Sequence, residues 1–251
     1  KEQAESWNRR ILKGVNTKMM TLTKNEKKMF SKDKSKNRIT GGDYLSLGLY
    51  AFMGLGMEVL YAYLLEPVLY GVSMQEFSAM QTIFHWILTC VTWGAFLYVL
   101  IKKSGEKYQF PLLEKGKTVR AWQWALCAVL VFMAFLLDYM DWGGFKVYLE
   151  WRGKGTLLFL FQYLYYAFET GLFLLIIVFG QKACEVWFGR PAFPYGGVIC
   201  GMTWGLAHIF TKDLLTGMLG LALGFAMGSV YLLVGRDLRK AYGVLFLMFV
   251  L

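Results

Sequence analysis

Over long stretches this chain carries no charge. Phe77 to Ile101 contains no Asp, Glu, Lys or Arg across 25 positions, and Leu214 to Gly235 contains none across 22. A helix of about 20 such residues already crosses the hydrocarbon region of a bilayer, so these segments do not read as parts of a soluble core. Cys90, Cys127, Cys184 and Cys200 form no C-x-x-C pair. Three of them fall in apolar runs, where an unpaired cysteine behaves as a small hydrophobe. Cys184 reads as part of a short cytosolic loop, so reduced thiols are expected. An H-E-x-x-H metal helix is missing, as is any interleaving of aromatic and basic residues that would speak for nucleic acid. No signal peptide with a small-residue cleavage site is recognised before the first apolar run. The sequence starts without Met and stops inside an apolar run at Leu251, so trimming at both ends is expected, with room for one more span beyond.

What is present points to a membrane. The 251 residues are 57% hydrophobic, 18% aromatic and only 18% charged, whereas soluble domains sit nearer half apolar and a quarter charged. The pattern predicts an all-α, multi-pass transmembrane bundle with about seven spans visible. They run from Tyr44 to Tyr70, Phe77 to Ile101, Ala121 to Met140, Thr156 to Gly180, Gly196 to Phe210, Leu214 to Val234, and from Ala241 onward.

The net charge of +10 is local. Residues 1–42 hold 12 Lys/Arg against 4 Asp/Glu, while the remainder holds 15 against 13. A basic tail at 1–43 suits an anionic membrane surface better than a nucleic-acid groove. Within it, residues 7–22 align Trp7, Ile11, Val15, Met19 and Leu22 on one helical face. They read equally as an interfacial amphipathic helix or as a disordered basic arm. Residues 24–38 read as a linker. The Lys/Arg counts on one set of segments, 1–43, 102–120, 181–195 and 235–240, are 12, 6, 2 and 3; on the other set, 71–76, 141–155 and 211–213, they are 0, 3 and 1. Positive residues accumulate on the cytosolic side, so the amino terminus is expected there.

Ionisable residues inside apolar runs are costly and mark functional candidates. Glu169 lies about three helical turns before the expected cytosolic end of the fourth span at Gly180, and His208 lies about as far beyond the start of the fifth at Gly196. At about 1.5 Å per residue both sit roughly 16–18 Å deep, on consecutive spans. A carboxylate beside an imidazole activates water; taken singly, each residue reads instead as a structural hydrogen-bonding group, Glu169 with Gln162, Tyr163 or Tyr165. Glu58 and His85 are further candidates near mid-membrane. A zinc site from His85, Glu169 and His208 is chemically reasonable, though no local spacing supports it. Asp138 and Asp141 read as markers of the outer interface. In the sixth span, Gly220-x-x-x-Gly224-x-x-x-Gly228 reads as a close-packing seam.

Residues 156–251 resemble the CPBP family, which comprises CAAX proteases and bacteriocin-processing or self-immunity proteins and is also called the Abi family. The family carries Glu-Glu-x-x-x-Arg on one membrane helix, Phe-x-x-x-His on the next, and His-x-x-x-Asn later. Glu169 matches the first carboxylate, Phe173 a favoured hydrophobic position, and Trp204 to His208 the second motif with Trp in place of Phe. Thr170 stands where the second Glu belongs and Leu174 where the Arg belongs. Aligned on Gly235, Leu245 and Phe249 fall at the later His and Asn. The resemblance makes 156–251 the core, with 44–155 as preceding helices, and implies a bacterial plasma-membrane protein. It implies hydrolysis of a membrane-proximal peptide by Glu169 and His208, with Trp204 and Phe173 in support; Glu58 and His85, on the preceding spans, are the further groups that could support it. Its missing Arg and His/Asn pair point equally to a non-catalytic relative that binds a partner protein as a scaffold or immunity protein. Lipids are the expected surroundings in either case. A small transporter or channel, prompted by Glu58, Glu66 and Glu169, would need a continuous polar path, and the sequence offers only isolated groups.

Overall fold

Thr40 and Asp43 begin the first helix by capping one another. The Asp43 carboxylate accepts from the Thr40 amide at 2.8 Å and the Thr40 hydroxyl accepts from the Asp43 amide at 3.3 Å, which satisfies amides that a first helical turn leaves open. The computed structural model describes residues 39–251; the amphipathic helix expected at 7–22 and the linker at 24–38 lie outside the described residues.

Helix α1 (Gly41–Leu60) passes through a π-helical turn at Tyr61–Leu65 into α2 (Glu66–Tyr70). A short 3-10 turn leads to α3 (Ala79–Glu106), followed by α4 (Ala121–Trp142) and α5 (Lys146–Phe188). A second broken rod comprises α6 (Tyr195–Cys200), a π-helical turn at Gly201–Gly205 and α7 (Leu206–Thr211). Helices α8 (Leu214–Leu233) and α9 (Leu238–Val250) complete the unit. No strand occurs among the described residues. Five rods are long and apolar enough to cross a membrane: Gly41–Tyr70, Ala79–Glu106, Ala121–Trp142, Lys146–Phe188 and Leu214–Leu233. The α6–α7 rod and the 13-residue α9 are shorter. On α4, Trp122, Val129, Phe132 and Met140 all face outward, an apolar surface that only lipid or another apolar body covers favourably.

Helix α5 is the axis. Leu172 through Phe179 are buried on every side, with α1, α3, α6 and α9 packed around them. A helix apolar all round belongs in the interior. Its start is bent at Gly155, whose φ of 75° and ψ of 164° lie in a region essentially reserved for glycine. The straight part therefore begins at Thr156, where the apolar run begins. Its other end departs from expectation. The helix continues beyond Gly180 to Phe188, and Cys184 is buried in it rather than lying in a loop. The cause is cover: Gly41 at the start of α1 sits against the Ala183 carbonyl and Trp187, and the Gly196 amide donates to Gln181 Oε1 at 3.0 Å. All four cysteines are free and buried.

Glycine governs the second contact. Gly197, Gly201 and Gly205 on the α6–α7 rod meet Gly228, Gly224 and Gly220 on α8, so closely that a Cβ on Gly205 would come within 2.6 Å of the Gly220 backbone. The α8 glycines do form the seam their spacing predicts, and their counterparts repeat at the same four-residue interval.

The start of α1, the 107–119 loop, the end of α5 and the 234–237 turn meet at one end of the bundle. Contacts there include Tyr44 Oη to Tyr108 O at 3.4 Å, the Lys117 amide to Gly235 O at 2.9 Å and the Gly116 amide to Asp237 Oδ2 at 3.2 Å. These contacts define the near end of the bundle.

Candidate functional site

The polar interior lies in the half of the bundle remote from that end, beside both π-helical turns. A π turn inserts a residue into the helical register and re-aims the side chains around it, which is why such turns recur at functional sites. The turn at Gly201–Gly205 carries Trp204, whose indole Nε1 donates to Glu169 Oε1 across the α5 interface at 2.9 Å. One turn on, His208 places Nδ1 2.9 Å from the Trp204 carbonyl and packs its ring edge-on to the indole, centroids 5.0 Å apart. A carbonyl only accepts, so Nδ1 carries the proton and donates; in the neutral ring Nε2 is left with its lone pair.

Glu169 and His208 are thus brought to the same tryptophan. The reason is the Gln181–Gly196 hydrogen bond, which sets α6 antiparallel to α5; each of the two residues lies 12 positions from it along its own rod. Glu169 is 9% exposed and His208 half-buried. Phe173 is fully buried and stacks on Trp204, centroids 5.0 Å apart. Phe249, at the end of α9, closes over both at 5.7 Å from Trp204 and 5.5 Å from Phe173. Lys146 holds it there: Nζ donates to the Phe249 carbonyl at 2.7 Å and pairs with Asp138 at 3.0 Å. Asp138, read from the sequence as a marker of the outer interface, is therefore a half-buried ion-pair partner of Lys146.

Glu58 and His85 form a second cluster, with Glu66, on either side of the π turn at Tyr61–Leu65. His85, 1% exposed, has Nδ1 2.7 Å from Glu66 Oε2 and Nε2 3.8 Å from Glu58 Oε1. Nε2 of His85 and Oγ1 of Thr89, one helical turn further on, have no hydrogen-bond partner among the described residues. Tyr165 is buried nearby, its ring 4.7 Å from that of Trp93 and 5.9 Å from that of Tyr166. The three residues of the conceivable zinc site are not gathered: His85 is turned to Glu66 and Glu58, His208 to Trp204. Among the described residues no three His, Cys, Asp or Glu side chains converge in a metal-binding arrangement.

Two of the three partners foreseen for Glu169, Gln162 and Tyr163, serve another carboxylate. Gln162 Nε2, Tyr163 Oη and Tyr166 Oη all donate to Glu150, at 2.7, 3.1 and 2.8 Å. Glu66, Glu150 and Phe249 are the interior residues that sequence reasoning leaves out of the site. Charge within or beside an apolar run singles out the two acids; nothing in a periodic apolar pattern singles out Phe249. Thr170 directs its hydroxyl to the Tyr166 carbonyl at 2.8 Å, and Leu174 and Leu245 are buried core residues.

Comparison of the chain with protein-family models, with curated proteins and with solved structures finds no match in any of the three.

Proposed function

We propose that this is a membrane-embedded, CPBP-like hydrolase that cleaves a peptide bond near the bilayer surface, with Glu169 activating water and His208 assisting. One observation carries the reading: the Trp204 indole and backbone together hold an acid and a base that the sequence places on different rods. Among the described residues Glu169 receives one hydrogen bond, at Oε1, so Oε2 is available to take a proton from water as the oxygen adds to the carbonyl carbon. That proton then goes to the leaving amine as the C–N bond breaks. His208 Nε2 accepts a hydrogen bond from the water or the tetrahedral adduct. Pairs of this kind contribute factors of about 10²–10⁴ in rate.

The fold reading that accompanies this has seven crossings, the amino terminus in the cytosol of a bacterial plasma membrane, and the near end on the cytosolic face. The Lys/Arg distribution supports it. A second reading, a non-catalytic scaffold or immunity protein that holds a partner, is favoured by a different observation. Leu174, Leu245 and Phe249, at the positions where the resembled family has polar groups, are built into the apolar packing, with Phe249 directly against Trp204.

The test uses the full chain in lipid nanodiscs with prenylated and leader-peptide substrates. Glu169→Gln keeps an oxygen for the Trp204 indole, so the fold persists while cleavage falls by at least about 100-fold. Cleavage unchanged in Glu169→Gln overturns the hydrolytic reading, and absence of cleavage together with a co-purifying protein favours the scaffold.

A further inference from the structure

At the near end, away from the acid–base interior, a cavity of about 220 Å³ opens between the 110–117 loop, the end of α5 and the Gly235–Leu238 turn. Its wall carries Lys115, Lys117, Lys182 and Arg236 against Glu114 and Glu185. Glu185 is already neutralised: Arg236 pairs with it at 2.6 Å, and Gln181 Nε2 donates to it at 2.8 Å. Lys115, Lys117 and Lys182 form no ion pair among the described residues. Lys182 is instead held over the rings of Tyr44 and Phe110, 5.8 and 5.5 Å from their centroids. That geometry positions the ammonium without cancelling its charge.

Two more features shape the site, in which Lys115 and Lys117 are exposed and Lys182 is half-buried. The loop bearing Lys115 and Lys117 is tied to the α8–α9 turn by the Lys117 amide to Gly235 O and by Gly116 to Asp237, and Arg239 Nη2 donates to Leu113 O at 3.3 Å. The loop therefore cannot swing its lysines away without breaking those bonds. The floor contains Tyr231, 5% exposed, whose hydroxyl makes no hydrogen bond to another described residue. The hydroxyl itself is reached from the cavity and is able to donate to an occupant. Phe110, Val178 and Leu238 form an apolar part of the wall.

We propose that this cavity binds a phosphate-bearing anion, in the membrane the headgroup of an anionic phospholipid. Three ammonium groups outside any ion pair, set against the one carboxylate of Glu114, and a hydroxyl donor match the oxygens of a phosphodiester, and the apolar wall matches the glycerol and first acyl carbons. The site is independent of any hydrolytic chemistry at Glu169.

The experiment adds phosphatidylglycerol or phosphatidylcholine to the full-length, detergent-purified chain and counts retained lipids by native mass spectrometry. It is run at about 0.5 M salt, where non-specific contacts between solvent-exposed charges are screened within a few ångströms. Wild type should keep one phosphatidylglycerol at least about tenfold more tightly than phosphatidylcholine, a difference of about 1.4 kcal/mol. Lys115→Gln/Lys117→Gln/Lys182→Gln should lose that copy while retaining the wild-type melting temperature within a few degrees; Tyr231→Phe, which removes one oxygen, should weaken it several-fold. Competition by inorganic phosphate separates the sources. Displacement of the lipid supports a shared phosphate pocket, and phosphate binding without lipid retention assigns the site to a soluble phosphate. Equal retention of the two lipids with no phosphate binding, or a triple variant indistinguishable from wild type, overturns the proposal.

Discussion

Glu150 and Glu169 are two buried carboxylates on one helix, on either side of the bend at Gly155, and their surroundings differ in kind. Glu150 accepts from Gln162, Tyr163 and Tyr166 and has Lys154 at 3.9 Å. Among the described residues Glu169 accepts from Trp204 alone. A carboxylate has about four acceptor sites. Where donors fill most of them, as at Glu150, the group is anchored and its replacement is a stability event. Where most stay open inside an apolar bundle, as at Glu169, the group has little to hold and is free to exchange a proton. Among the acids of this bundle, donor count is thus a better guide to chemistry than burial, because burial is common to both.

The largest expected effect tests the anchored side. Glu150→Ala leaves two tyrosine hydroxyls and an amide without their acceptor, and should cost about 3 kcal/mol or more of stability. Glu150→Gln, which keeps one oxygen, should cost about 1 kcal/mol. Thermal unfolding followed by tryptophan fluorescence in detergent reads both. A Glu150→Ala protein as stable as wild type would break the comparison, since the three donors would then have found other partners at no cost.

Trp204→Phe tests the open side and is intermediate in size. It keeps the ring against Phe173 and Phe249 but removes the only donor to Glu169 among the described residues. Loss of one hydrogen bond to a charged group is worth about 1.5–3 kcal/mol. The tryptophan also orients His208 through its backbone, which the substitution leaves in place. Stability should therefore fall by about 2 kcal/mol, within that range, while the His208 position is kept. Cleavage of a peptide substrate should fall with Glu169's alignment. A stability loss in Trp204→Phe that clearly exceeds that in Glu150→Ala would reverse the assignment of which carboxylate is structural.

The sequence makes some of this legible. The uncharged runs Phe77 to Ile101 and Leu214 to Gly235 are enough to place rods in a membrane, and the four-residue glycine interval on α8 is enough to name its packing face. Glu169 and His208 stand out because ionisable groups interrupt apolar runs. What stays hidden depends on rotation between helices, which a period of about 3.6 does not encode. Gln162 and Tyr163 share a helix with both Glu150 and Glu169, and only the bend at Gly155 folds Glu150 back to collect them. The π turn at Gly201–Gly205 adds a residue to its register, so a regular helical wheel misassigns the direction of Trp204. The end of α5 escapes a sequence reading because a polar run, Gln181 to Glu185, is covered by glycines of two other helices that make no sequence signal at that position.

Asp237 extends the comparison to the near end and gives the smallest expected effect. It is a donor-rich carboxylate like Glu150 but lies outside the membrane-spanning helices, where pH reaches it. It caps α9, accepting from the Arg239 and Lys240 amides at 3.1 and 3.2 Å and from the Gly116 amide, with Lys240 Nζ at 3.6 Å. Burial works against its ionisation, but the amides of Lys240, Gly116 and Arg239 and the Lys240 charge outweigh burial and hold the carboxyl below its usual range. A folded value below the unfolded one contributes stability that is fully present above the unfolded value, near 4, and is lost as pH falls through the folded one. Asp237→Asn should accordingly cost about 1 kcal/mol at neutral pH, as for loss of a good cap, or a melting shift of about 2–4 °C for a chain of this size. The gap between variant and wild type should close as pH drops below about 4. A gap that stays constant from neutral pH down to about pH 3 would mean that the charge on Asp237 is immaterial and that shape alone fills the cap, which would separate donor count from charge as the property that anchors an acid in this bundle.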